Sequence, residues 1–399
     1  MKKVLFFFFF LITFTCHSQN RYYSGYQFSD SIMHQFIIDS AKGDQYCISE
    51  AATKLSFINN YKDDLIVWDK GNDPVFPSVV DKWITIKYKP INAKDYIIER
   101  AKKEKIIIIN EAHHQPIHRV FTESLLEELY KEGYRYFGLE AVNKSDKRLN
   151  ERKYPLILTS GWYINQSQGG NLVRKALQLG YYVFGYDTMH GLQPKDREIF
   201  EAKNIKAVLD KDPNAKMIIH CGYGHLIESD YPELGKVMAG RLIEYTGINP
   251  FTIDQVSLTE HSSPEFENAF YKAFDLNYYA VFTDSSGNLY NGSGQVNSHD
   301  CNVYHPRTKW VDGRPNWVFE NNRSAVYITD RIHLKFPCLV YAFYINEDFK
   351  YIPVPTDIIE LKNKTDKIAL SLDRSSFFIM AQDVEGNKQE FNLFIPKKQ

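Results

Sequence analysis

The sequence predicts an α/β fold: a mostly parallel sheet with flanking helices, plus a small C-terminal β module. Three observations carry this. Between residues 92 and 260, short apolar runs alternate with amphipathic stretches, the pattern of βαβ units. The runs are β-branched, most clearly Ile106 to Ile109, as buried strands require. After about Ser262 the texture changes to turn signals, such as Ser285-Ser-Gly-Asn288 and Asp312-Gly-Arg-Pro315, with short alternating runs beyond them.

The elements follow in order. Ser29 opens a helical pattern through Ile32, Met33, Phe36, Ile37 and Ala41, and Cys47 to Ile58 reads as a second helix. Gly71-Asn-Asp-Pro74 breaks structure, and Trp83 to Tyr88 reads as a short strand. Asn92, with Asp95 three residues on, caps a helix from Ala93 to Lys103. The strand Ile106 to Ile109 comes next, then a helix from Ile117 to Glu132, ended by Gly133. Strand 136–139, helix 171–179, strand 181–186, helix 194–209, strand 216–220, helix 232–245 and strand 251–256 complete the alternation, Pro194 suiting a first helical turn. Short strands at 339–345, 368–372, 376–380 and 390–394 form the β module.

The expected organisation is therefore a signal peptide at 1–18, a mostly helical segment at 19–91, an α/β core at 92–335 and the β module at 336–399. Lys2 and Lys3 precede an apolar run from Val4 to Phe14, and Cys16-His17-Ser18 supplies small side chains for cleavage before Gln19. Export to a periplasmic, envelope-associated or extracellular location is expected. The run is shorter than the roughly 20 residues of a membrane span, so no transmembrane segment is expected in the mature chain. With 48 basic and 49 acidic side chains, the chain lacks the charge of a nucleic-acid binder. At 44% hydrophobic and 15% aromatic residues it is not disordered. Cys47, Cys221, Cys301 and Cys338 are too few for a disulfide framework, although Cys301 and Cys338 could form one bridge.

Ligands of open parallel sheets bind at the carboxyl ends of the strands. There this chain places ionisable groups four times: Asn110-Glu111-Ala-His113-His114, continuing to His118 and Arg119; Glu140; Asp187; and His220-Cys-Gly-Tyr-Gly-His225. Glu111, His113, Glu140, Arg197 and His225 are the leading catalytic candidates, with His114, His118 and Asp187 in second rank. Imidazoles and carboxylates in this mixture can hold a divalent metal, with His113, Glu140 and His225 as ligands, or act on water as general acid and base. The bland readings differ by residue. Glu111 could serve a structural ion pair and His118 a helix surface facing Glu123. Asp187 could be a turn cap, Arg197 a solvated side chain, and His220 a core histidine.

The run Asn110-Glu-Ala-His-His-Gln-Pro-Ile-His118 resembles the opening motif of the ChaN-like haem-binding lipoproteins, and Gly222-Tyr-Gly-His225 is similar to a second motif of the superfamily that joins them to the erythromycin-esterase-like and TraB/Tiki proteins. Asp196-Arg197-Glu198 is similar to an Arg-containing helix of the esterase-like branch. The resemblance spans about residues 92 to 260, with Asn110 where the family has glycine. It implies the site more firmly than the reaction, because the branches differ: metal-dependent proteolysis, lactone opening by an activated water, or haem binding. The expectation is a secreted hydrolase of an ester or amide bond in a small molecule or peptide, with or without a divalent metal. The alternative is an envelope protein binding haem or another iron ligand.

Overall fold

The computed structural model describes residues 26–75, 83–157, 159–188, 191–292 and 298–396. The expected signal peptide, and His190, lie outside them. The N-terminal segment forms helices α1 (Ser29–Ala41), α2 (Cys47–Phe57), α3 (Tyr61–Asp69) and α4 (Trp83–Lys87). The last corrects the strand expected at Trp83 to Tyr88. Its β-branched residues suit a strand, but the Tyr88 amide donates to the Ile84 carbonyl and closes a helical turn. The strand comes just after it, as β1 (Lys89–Asn92).

The core continues as α5 (Ala93–Ala101), β2 (Ile106–Glu111), α6 (Ile117–Lys131), β3 (Tyr136–Leu139), α7 (Leu149–Arg152), α8 (Ser167–Leu179), β4 (Tyr182–Gly185), α9 (Pro194–Lys211) and β5 (Met217–Gly222). Asn92 caps α5 as expected, its Oδ1 accepting from the Asp95 amide at 3.1 Å. Helix α8 starts one turn earlier than the sequence suggested. Gly169 and Gly170 let the helix lie against Arg119 and Val354, where any Cβ would stand 3.2 and 2.8 Å from those side chains.

Next come the hairpin strands β6 (Asp230–Tyr231) and β7 (Gly235–Lys236), then α10 (Met238–Thr246), β8 (Phe251–Asp254), α11 (Ala269–Lys272), β9 (Ala280–Thr283) and β10 (Cys301–Asn302). The helix expected from Pro232 thus begins only at Met238. Glu233 and Gly235 take left-handed backbone angles that a helix cannot contain. Strands order as β10-β8-β2-β5-β3-β4, every pair parallel. Strand β2 is buried on both faces. Ile107 and Ile109 pack with α5, α6 and α8, while Ile106 and Ile108 pack with α9 and α10. This two-sided burial is why the strand reads as four isoleucines rather than as an alternation.

The remainder forms β11 (Trp310–Val311), β12 (Arg314–Pro315), β13 (Ser324–Val326), β14 (Cys338–Tyr344), β15 (Asp357–Leu361), β16 (Leu370–Leu372), β17 (Ser376–Asp383) and β18 (Lys388–Phe394). An antiparallel sheet of order β15-β14-β17-β18 makes up most of it. Leu339, Tyr341 and Phe343 face the main core beside α1, α2 and α8, while Val340, Ala342 and Ile379 face a smaller core of their own. Buried ion pairs join module to core: Arg174 to Glu347 at 2.6 and 2.8 Å, and Arg314 to Asp357 at 2.9 Å twice. Cys301 and Cys338 are both free thiols, which corrects the bridge considered for them. Cys301 sits in the main core and Cys338 in the small one. Among the described residues no helix is long and apolar enough to cross a membrane.

Candidate active site

The carboxyl ends of β2, β3 and β5 meet the start of α9, and the predicted residues converge there. Glu111 ends β2 at 2% exposure. A carboxylate so buried needs partners. Arg119, one turn into α6 and equally buried, grips it through Nε and Nη2 at 2.7 and 2.6 Å. Burial pushes the Glu111 carboxyl up, but the Arg119 charge and hydrogen bonds outweigh it and hold the group well below the usual carboxylate range. Its Oε1 also lies 2.8 Å from Nδ1 of His113. An ionised Glu111 accepts only, so His113 donates from Nδ1 and directs Nε2 away from it. The ring is clamped flat against Tyr163, with centroids 3.9 Å apart.

His113 Nε2 points toward Glu140, 3.9 Å from its Oε1. His225 Nε2 approaches the same oxygen from another side at 3.8 Å. Glu140 therefore lies between the two imidazoles, with Arg197 Nη2 on Oε1 at 2.7 Å and the Gly222 amide on Oε2 at 2.5 Å. Burial would raise this carboxyl, but His225, His113, Arg197 and the Gly222 amide together bring it down to about 2. Glycine is needed at 222, because a Cβ there would stand 2.7 Å from Cε1 and Nε2 of His113 and 3.2 Å from Glu140.

Helix α9 supplies Arg197 and two carboxylates. Its buried stripe runs Glu198, Glu201, Ala202, Ile205 and Leu209, so two carboxylates stand at the head of an apolar face. Glu198 accepts from the Met238 amide at 2.7 Å and lies 2.9 Å from His225 Nδ1. Glu201 is fully buried, 3.2 Å from Arg197 Nε and 3.4 Å from His225 Nδ1. Burial, against the pull of His225, pushes its carboxyl up to about 9. For His225, burial alone would favour the neutral ring. The charge of Glu140 and the hydrogen bond to Glu198 oppose burial and push it upward. Asp187 anchors Arg197 at 3.0 and 2.8 Å, leaving Arg197 Nη1 3.3 Å from His225 Nε2. A guanidinium cannot accept, so Arg197 donates toward that ring nitrogen.

The structure brings together Glu111, His113, Glu140, Arg197, His225 and Asp187. It sets His114 and His118 apart. His114 is stacked on Trp68 at 3.9 Å, and burial lowers its pKa well below the usual range. His118 is fully buried, its Nδ1 accepting from the Ala112 amide at 3.0 Å, so it braces the turn after β2. His220 is a core histidine as read, brought down to about 4 chiefly by burial. Asn110 needs no left-handed backbone. It ends in strand geometry and ties β2 to β8, donating to Asp254 Oδ1 at 2.6 Å and accepting from the Gln255 amide at 2.7 Å.

Sequence reasoning missed Arg119, Tyr163, Glu198 and Glu201 as members. Glu201, four residues after Arg197, had a readable helical spacing. Tyr163 had no such signal.

A divalent ion would find Glu140, Glu201 and His225 donor atoms within 4.8 Å of one another. Arg197 stands among the same atoms, on Glu140 at 2.7 Å and Glu201 at 3.2 Å, with His225 Nε2 facing it at 3.3 Å. A cation there would meet the Arg197 guanidinium at contact distance. The residues present do not fit a metal in that position.

No family model matches the chain, and no curated protein does. Eight chains of solved structures match. One is the type III effector HopBA1, at 16% identity over 45% of this chain and 87% of that one, with a TM-score of 0.29. RRSP, a MARTX toxin effector domain from Vibrio vulnificus CMCP6, is 14% identical over 58% of this chain and 55% of its own, TM-score 0.29. The C-terminal region of Pasteurella multocida toxin, described with a thiol-protease like catalytic triad, is 12% identical over 51% of this chain and 31% of its own, TM-score 0.29. The chain spans about half or less of the length of those last two.

Proposed function

We propose that the protein hydrolyses an ester or amide bond with its own side chains, without a metal. The observation that carries the reading is the opposition of two functions across Glu140. His113, oriented by Glu111, turns its Nε2 toward a place faced from the other side by the Arg197 guanidinium and His225. In the reaction His113 Nε2 takes a proton from water, and the water oxygen forms a bond to the carbonyl carbon. The carbonyl oxygen becomes an anion stabilised by the Arg197 guanidinium. The C–O or C–N bond then breaks, and the His113 proton goes to the leaving alkoxide or amine. Glu111 and Glu140 stabilise the imidazolium in between, and Asp187 holds Arg197 in place.

The test is a panel of p-nitrophenyl esters of graded acyl length and fluorogenic peptides, with the protein from Gln19 onward. Turnover of an ester or amide proportional to protein concentration is expected. A flat panel, with a Soret band that saturates on adding haem, would replace this reading by the haem-binding alternative.

A further inference from the structure

A cleft of about 760 Å³ opens between α3, residues 260–262, the β11–β12 hairpin and β15. It shares no lining residue with the cluster around Glu140, so its role is independent of the hydrolase reading. Trp310 lines one side, 52% exposed. Its hairpin turns on two residues, Asp312 and Gly313, both left-handed at φ 53° and 70°. That is the tightest kind of hairpin connection, and it fixes the strand bearing the indole. A large flat ring so exposed over a cleft offers a stacking face together with an N–H donor.

The rest of the lining is rich in short planar polar groups: Asn60, Asp63, Glu360, Asn363 and Asp366. Carboxylates and amides of this kind engage adjacent hydroxyl groups in pairs. His261 adds an imidazole edge. Its Nδ1 is tied to Asp69 at 2.7 Å, and its ring, 22% exposed, lines the cleft.

Two features restrict the occupant. Strand β15 could otherwise pair with an extended peptide, but Asn59 Nδ2 already donates to the Ile358 carbonyl at 3.0 Å and to Asp357 at 3.1 Å. Of the lining cations, Arg314 is engaged on Asp357 at 2.9 Å and Lys362 on Asp30 at 3.2 Å, and Lys62 is outnumbered by carboxylates. Asp63, Glu360 and Asp366 therefore set the local charge and disfavour an anion.

We propose that this cleft binds a neutral oligosaccharide, with one sugar ring stacked on Trp310 and its hydroxyls bonded to the facing carboxylates and amides. The test is calorimetric titration of the protein with glucose, mannose, xylose and N-acetylglucosamine oligomers. At least one should bind saturably. Trp310→Ala should weaken it about tenfold, a loss in the range of one aromatic contact. Ile66→Arg, from a position 40% exposed on α3, should fill the cleft and abolish binding. Both sites are exposed enough for the variants to keep the wild-type unfolding temperature, and either one alone decides the matter. Absence of binding by all four oligomers, or binding unchanged in the variants, would overturn the proposal. So would saturable binding of extended peptides instead, lost in both variants.

Discussion

His113→Ala is expected to lower turnover of any ester or amide the protein cleaves by about 10²–10⁴-fold, the usual contribution of a positioned general base. The fold should survive. Glu111 keeps both bonds from Arg119, at 2.7 and 2.6 Å, so truncating His113 leaves no buried carboxylate without a partner. The ring is 12% exposed, and its main packing loss is the face of Tyr163, about 0.5–1.5 kcal/mol. Imidazole added to the variant should recover part of the rate, because the emptied place retains Glu111 to orient it. A purely structural histidine would show no such rescue. Undiminished turnover in the variant would remove His113 from the reaction.

Arg119→Ala should have the largest effect on stability. It leaves Glu111 buried with only the imidazoles of His113 and His220 nearby, the latter at 3.7 Å. Breaking a buried, hydrogen-bonded ion pair from one side costs about 3–5 kcal/mol, a large share of the roughly 5–15 kcal/mol that holds a domain folded. Urea unfolding would measure it. The pH dependence fixes the cause. Glu111 is held below its unfolded value of about 4.3, so the pair's contribution is present above that pH and fades as pH falls through the lower native value. The gap between wild type and variant should therefore close in acid. A gap under about 1 kcal/mol at pH 7 would mean that Glu111 finds other partners or takes up a proton.

Much of the molecule was legible because its signals are local. Ile106 to Ile109 announced a strand buried on both faces, and Tyr136 to Leu139 was placed to the residue. Gly133 and Gly180 mark real helix ends, both left-handed. Errors arose where tertiary contacts decide. Trp83 to Lys87 is helical despite its β-branched residues, and the Gly169-Gly170 pair belongs inside α8 because other side chains press against it.

The site divides in the same way. Glu111, His113, Glu140 and His225 were visible because strand ends collect ligands in parallel sheets. Arg119 was hidden: its pairing with Glu111 depends on how α6 folds back over β2. Glu198 and Glu201 look like the solvated side of a charged helix until Ala202, Ile205 and Leu209 are seen to share their face. His118 misled for the opposite reason. Its spacing from His113 and His114 suggests a shared site, but the turn after β2 directs it into the core.

The central claim is that Arg197 supplies the positive charge at this sheet edge. Elemental analysis of the protein from Gln19 onward, beside its His113→Ala, His225→Ala double variant, tests it most directly. The account predicts no near-stoichiometric Zn, Mn or Fe in either protein, even after incubation with each ion. Near-stoichiometric metal in the wild type, lost in the double variant, would contradict it.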